Sequence, residues 1–244
     1  MDDPQPPPRV TVIVPTYNEK GNLASLVTQL LALPLDIHVI VVDDNSPDGT
    51  GEIADGLARQ HPGRVTVIHR SGKLGLGTAY VAGFKRALST GVDLVLTMDA
   101  DFSHNPRYIP EMVAGVDRGC DLVIGSRYVE GGGTSGCTTG RKLLSYGANA
   151  FARAVLGLHA HDGTAGFRCY RRQVLEDVGL DQIKADGYSF LIEMLFRVQR
   201  RGWRVGESPI LFENRRQGVS KISQDEILKA LWTVVRLRLQ CRRL

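Results

Sequence analysis

Short runs of apolar, β-branched residues alternate with longer stretches whose apolar positions recur every three or four residues, from Arg9 to Arg127. This spacing predicts strands at Val10–Val14, Ile37–Val42, Arg64–His69, Leu94–Met98 and Asp121–Gly125. Between them it predicts helices over Asn22–Leu33, Gly51–Gln60 and Thr78–Leu88, and another after Pro106, since proline suits a helix start. Strands that are apolar throughout are buried on both faces. The alternation therefore predicts an α/β fold with a mostly parallel central sheet and helices on both faces. Beyond Arg127 the rhythm lapses. Glu130–Gly140 holds five glycines and no apolar period, so it is expected to be a mobile loop. A helix over Arg141–Leu158, a strand over Thr164–Tyr170, a helix over Tyr188–Arg201, a strand over Arg204–Phe212 and a last helix over Gln224–Gln240 complete the pattern.

Composition narrows the classes. The 244 residues are 43% hydrophobic and 23% charged, enough for one domain with a sizeable core and unlike a disordered or fibrous chain. No uncharged apolar run is long enough to span a bilayer. The proline-rich, acidic residues 1–8 are expected to form a disordered tail, and they do not resemble a secretory signal. Cys120, Cys137, Cys169 and Cys241 lack metal-ligand or CxxC spacing, which points to reduced thiols. The net charge of +4 is uneven: Phe196–Leu244 carries 12 Lys and Arg against 4 Asp and Glu. A basic C-terminal fifth favours an anionic partner, with nucleic acid, phosphates and lipid headgroups all open on charge alone.

In an open parallel sheet, ligands bind beyond the carboxyl ends of the strands. The segments there are Pro15-Thr-Tyr-Asn-Glu19, Asp43-Asp-Asn-Ser-Pro-Asp-Gly-Thr50, Lys73-Leu-Gly-Leu-Gly-Thr78, Asp99-Ala-Asp101 and Arg127. Asp99 continues a buried apolar strand, where an unpaired carboxylate is costly. Two hard oxygen ligands one residue apart suit Mg²⁺ or Mn²⁺ completed by substrate phosphates. Asp44 is placed to hydrogen-bond a nucleobase or ribose. The glycines around Lys73 fit neither a dinucleotide fingerprint nor a P-loop; they would let Lys73 and the backbone approach a ligand.

Taken in order, these segments with Gly125-Ser-Arg-Tyr128 and Thr164-Ala-Gly-Phe-Arg-Cys-Tyr-Arg171 resemble the dolichyl-phosphate (polyprenyl-phosphate) mannose synthases, inverting glycosyltransferases of GT-A (Rossmann-like) fold. The likeness runs from about Val10 to Lys221. It implies mannose transfer from GDP-mannose to a polyprenyl (dolichyl) monophosphate, with no nucleic acid as partner. It further implies that Pro15, Tyr17, Glu19, Val42 and Asp44 hold the guanosine. Asp99, Ala100 and Asp101 would meet the diphosphate and the metal, with Ser103 at the place of a third ligand. Arg127, Arg215 and Lys221 would bind donor or acceptor phosphates, and Arg141 and Ser145 the acceptor phosphate. The catalytic domain would span 9–221. The alternatives are a polyprenyl-phosphate glucose transferase using UDP-glucose, and a non-enzymatic anion-binding module.

Arg141, Ser145 and Asn149 lie four apart and share a helix face, while Leu144, Ala148, Phe151, Val155 and Leu158 form an apolar stripe. Glu193, within an apolar helical run, is a paired buried acid or an active-site carboxylate. In residues 222–244, Ile227, Leu228, Leu231, Trp232, Val235 and Leu239 share one face, with Lys229, Thr233, Arg236 and Gln240 on the other. This predicts an amphipathic helix at a membrane interface, and the resemblance implies the cytoplasmic face of a membrane, the endoplasmic reticulum in a eukaryote or the plasma membrane in a prokaryote. A separate membrane-anchoring subunit is the further partner that the resemblance implies.

Overall fold

The computed structural model describes residues 7–183, 185, 187–214 and 224–241, without the side chains of Arg141, Tyr188, 224–229 and 240–241. The expected tail, apart from Pro7 and Pro8, and the phosphate-binding candidates Arg215 and Lys221 lie outside the described residues.

The first half follows the hydrophobic pattern. β1 (Arg9–Thr16), α1 (Leu23–Leu31), β2 (Asp36–Asp43), α2 (Thr50–Gln60), β3 (Val65–His69), α3 (Leu76–Leu88), β4 (Leu94–Thr97), α4 (Ile109–Asp117) and β5 (Leu122–Ser126) come in turn. Side chains alternate across a strand, so Val10, Val12 and Val14 enter one core with α1, α2 and α4, while Ile13 enters the other with α3. Gly83 is what lets α3 lie this close to β1: a Cβ there would stand 2.5 Å from Ile13 Cγ2.

The second half differs from the pattern in several places. Glu130–Gly140 contains a strand, β6 (Gly133–Ser135), and α5 (Thr139–Leu156) begins before the loop was expected to end. The expected strand Thr164–Tyr170 shortens to β7 (Arg168–Arg171), because the carbonyls of Gly163 and Ala165 accept from the Arg168 guanidinium at 2.7 and 2.8 Å instead of joining the sheet. α6 (Arg172–Asp177), too short to show a period, precedes α7 (Gly187–Arg200). The expected strand Arg204–Phe212 divides at Pro209-Ile210 into β8 (Val205–Pro209) and β9 (Leu211–Glu213); β9 leaves the main sheet and pairs in parallel with β6. α8 (Gln224–Cys241) closes the described chain.

Among the described residues the main sheet runs β3-β2-β1-β4-β7-β5-β8, with β7 antiparallel to both neighbours and the other pairings parallel. The parallel carboxyl ends thus share one edge, and β1 stands where the strand order reverses.

Candidate functional site

Three turns at that edge carry strain. Asn18, Asn45 and Phe102 follow β1, β2 and β4 with φ of 61°, 57° and 61°, a region that non-glycine residues rarely occupy. Buried Asp43 fixes two of the turns: its carboxylate accepts from Thr16 Oγ1 (2.9 Å), Ser46 Oγ (2.6 Å) and Ser46 N (3.0 Å). Asp48 accepts from Thr50 N and Lys20 N, tying the β1 loop to the start of α2. Glu19 accepts from Asn22 Nδ2 at 2.8 Å.

On the side assigned to a nucleoside, Tyr17 is exposed and the Lys73 ammonium lies 4.6 Å from its ring centroid, a cation–π contact between two loops. Pro15 is half-buried beside them, whereas Val42 is wholly buried in the core, leaving only its backbone for a ligand. Asp44 pairs with Arg70 Nη1 at 2.7 Å, both side chains under 10% exposed. Burial pushes the Asp44 carboxyl above the usual carboxylate range even with this cation beside it. The sequence reading missed Arg70, although its place directly after β3 matches that of the other loop residues. It also holds the Lys73 loop through Gly75 O at 3.2 Å.

Asp99 and Asp101 follow β4. The Asp99 carboxylate is 33% exposed. Its backbone N–H donates to His104 Nδ1 at 3.0 Å, and the His104 ring is buried and stacked on Phe167. His104 is therefore a buried support of the turn. Tyr80 is fully buried with its hydroxyl 3.5 Å from Asp99 Oδ1. Burial first, and then the Asp99 charge, push the Tyr80 phenol well above its ordinary value, so it remains a donor. Asp101 Oδ1 accepts from Ser103 N (3.0 Å) and Ser103 Oγ (2.6 Å), so Ser103 braces Asp101. Ala100 between them is buried. Gly166 keeps this space open: a Cβ there would lie 3.3 Å from Tyr80 Oη and 3.7 Å from Asp99 Oδ1. Two oxygen-donor carboxylates beside a cleared space fit a hard divalent cation completed by phosphate oxygens. Among the described residues, no group of three or more His, Cys, Asp or Glu would hold a metal by itself.

Arg127, just after β5, is held by Asp162, which is wholly buried. Nε and Nη2 donate to Oδ2 and Oδ1 at 2.7 Å each, and Arg127 N donates to Oδ2 at 3.1 Å. Glu207 on β8 anchors this acid by accepting from Asp162 N at 3.1 Å. Thr164 Oγ1 accepts from Arg127 Nη2 (2.9 Å) and Asn149 Nδ2 (3.0 Å), which brings α5 into the network. Ser145 Oγ accepts from Tyr128 Oη at 2.8 Å. The face of α5 turned to the domain is therefore that of Ser145 and Asn149. Leu144, Ala148 and Phe151 of the apolar stripe are exposed, as are Leu143 and Tyr146. The Arg141 side chain lies outside the described residues.

Glu193 is a paired buried acid, accepting from Arg197 on its own helix and from Arg236 on α8. The last helix packs one face on the domain: Val234 and Leu237 are buried in the core shared with α5 and α7. Leu231, Trp232, Val235 and Leu239, the expected apolar face, point to solvent. Thr233 and Arg236, expected opposite them, are taken up inside. No helix among the described residues is long and apolar enough to cross a membrane.

Known proteins share this frame. A polyprenol monophosphomannose synthase from Mycolicibacterium smegmatis is 46% identical over 230 residues, covering 94% of this chain and 87% of its own. An undecaprenyl-phosphate mannosyltransferase from Micrococcus luteus is 44% identical over 234 residues, covering 96% of both chains. Glucosyl-3-phosphoglycerate synthase from Mycobacterium tuberculosis, solved with Mn²⁺ and UDP, superposes with a TM-score of 0.67 at 20% identity over 94% of this chain and 79% of that one, a likeness of GT-A-like fold. The glycosyl transferase family 2 profile matches residues 11–179. With that match and those relatives spanning nearly its whole length, the chain belongs to glycosyl transferase family 2.

Proposed function

We propose that this protein transfers mannose from GDP-mannose to a polyprenyl (dolichyl-type) monophosphate, with inversion at the anomeric carbon. The observation that carries this reading is the sheet edge at which the Gly163–Gly166 segment, leading into β7, lies between the Asp99/Asp101 loop and the Asp162-held Arg127 and touches both, Gly166 beside Asp99 and Thr164 on Arg127. One side suits a metal-bound diphosphate, the other a second phosphate. The names of the two mannosyl-transferring relatives support a mannosyl group and a polyprenyl phosphate as what is joined.

In the proposed reaction the anomeric C–O bond to the donor diphosphate breaks as an oxygen of the acceptor phosphate forms its bond from the opposite face. That oxygen is already ionised near neutral pH, so no side chain has to remove a proton. Asp99 and Asp101 would hold Mg²⁺ or Mn²⁺, which when bound supplies charge for the leaving diphosphate. Tyr17, Glu19, Asp44 and Lys73, with Pro15 and the backbone of Val42, would seat the guanosine end. Arg127, with Arg215 and Lys221, would balance the phosphates, and Ser145 and Arg141 would orient the acceptor. Setting two polyanions side by side is the costly part, and fixed cations answer it.

The acceptor's tail lies in a bilayer, so the protein would work as a peripheral protein on the cytoplasmic membrane surface. Supporting this are the exposed Leu143, Leu144 and Tyr146 around Ser145, and the exposed face of α8 with Arg238 beside it.

Labelled GDP-mannose with a short-chain polyprenyl phosphate, with and without Mg²⁺ or Mn²⁺, tests the reading, and UDP-glucose is the competing donor. A β-linked lipid-phosphate mannose made only with metal supports it; preference for UDP-glucose overturns the donor assignment.

A further inference from the structure

Glu193 takes no part in that reaction, yet it is 2% exposed and bears a full set of bonds. Arg197 Nε and Nη2 reach its Oε1 at 3.0 and 2.8 Å, and Arg236 Nη2 reaches its Oε2 at 2.5 Å. Arg197 also donates to the Gln182 carbonyl at 2.8 Å, so α7 is fixed from behind. A buried ion pair adds little to stability over a well-packed apolar pair. What it adds is direction. Apolar contacts such as those of Val234 and Leu237 tolerate turning or sliding, whereas one bond between a guanidinium and a carboxylate fixes register.

The register matters because each residue advances an α-helix by about 100°. With Arg236 turned inward to Glu193, the outward arc is Leu231, Trp232, Val235, Arg238 and Leu239, with Trp232 68% exposed. A turn of one residue would bury part of this arc and expose Thr233 and Leu237. We propose that Glu193 is a positioning residue: through Arg236 it sets the rotation of α8, so that one apolar face with a flanking cation meets the bilayer surface carrying the acceptor. This rests on the lipid-phosphate reading above.

The test compares the wild-type chain with Arg236→Gln, Arg236→Lys and Glu193→Gln, the first being the variant least exposed to misfolding because Arg236 lies at the edge of the core. Each is assayed with GDP-mannose on a long-chain polyprenyl phosphate in vesicles containing anionic lipid, and on a short, water-soluble prenyl phosphate. Co-sedimentation with the same vesicles is measured separately. Expected for Arg236→Gln is about a tenfold rise in KM for the vesicle acceptor, the worth of one charge-assisted bond. Weaker co-sedimentation should accompany it, with GDP affinity and soluble-acceptor kinetics unchanged and partial recovery in Arg236→Lys. Equal losses on both acceptors, or unchanged vesicle binding, would overturn the tether. A wild-type chain that binds vesicles but transfers to neither acceptor counts against the proposed function, while co-sedimentation of the variants still decides the tether.

Discussion

Asp162 meets Arg127 with both carboxylate oxygens, and the same acid also accepts from the Arg127 backbone N–H. Since Asp162 is wholly buried and the Arg127 side chain 14% exposed, removing the acid strands a largely buried cation. Asp162→Ala should cost about 3 kcal/mol or more of folding stability, read by denaturant melting. A loss below about 1 kcal/mol would mean that the pair is solvated in solution.

The two roles open to Ser103 separate by magnitude. Asp101→Asn removes a charge from the proposed metal side and should lower turnover by about two orders of magnitude with little change in folding. Ser103→Ala loses a brace on Asp101, worth about 1 kcal/mol, so a drop nearer tenfold is expected. A Ser103→Ala defect as deep as that of Asp101→Asn would make Ser103 a ligand in its own right.

Asp44 sets opposite pH trends for binding and stability. In the proposed guanosine seat its ionised form would accept hydrogen bonds from the nucleoside, so GDP affinity should fall as pH drops, starting above the range of an ordinary carboxyl. A raised folded-state pKa has the reverse effect on the free protein: this group's stabilisation is fully present below the unfolded value and is lost as pH rises through the folded one. Asp44→Asn should flatten both trends, as calorimetry and melting across pH would show.

Gly83→Ala opposes two known effects. Alanine improves a helix interior by about 1 kcal/mol, but here its Cβ would stand 2.5 Å from Ile13 Cγ2. Overpacking of that kind costs about 1–3 kcal/mol, so a net destabilisation is expected. A higher melting temperature would show that α3 moves freely off the sheet.

Cys169, wholly buried on β7, has its thiol pushed up to about 12 by burial. Native protein at pH 8 should be alkylated at partly exposed Cys120 and Cys137 and spared at Cys169 until it unfolds. Prompt labelling of Cys169 would show that the sheet opens at β7.

Strands flanked by turn residues were legible because burial on both faces leaves an unbroken apolar run; that located the sheet edge, Asp99, Asp101 and Arg127. Arg168 and Asp162 were not legible as structural charges. Besides its nearby carbonyls Arg168 reaches Leu191 O, 23 residues away, and the partner of Asp162, Arg127, lies 35 away; nothing in the local sequence marks either charge as buried. The shared face of Ser145 and Asn149 was legible from their spacing, but not that it turns to the domain, where Tyr128 donates to Ser145 and Thr164 accepts from Asn149, which leaves Leu143 and Tyr146 outside. β6 and β9, at three residues each, are shorter than any period can register.

The place of β7 governs the order in which this enzyme can be built. Made after both β4 and β5, it lies between them and pairs with each. A nascent chain that has reached residue 160 can join β1 to β4, but β5 has no partner on that sheet and both facing strands remain open edges. Only when Arg168–Arg171 is inserted are the Asp99 and Arg127 loops held in one sheet, on either side of the segment that leads into β7. The loops proposed to serve donor and acceptor therefore become one site late, and a chain cut short before β7 would keep the loops after β1 to β4 without the Arg127 loop fixed against them.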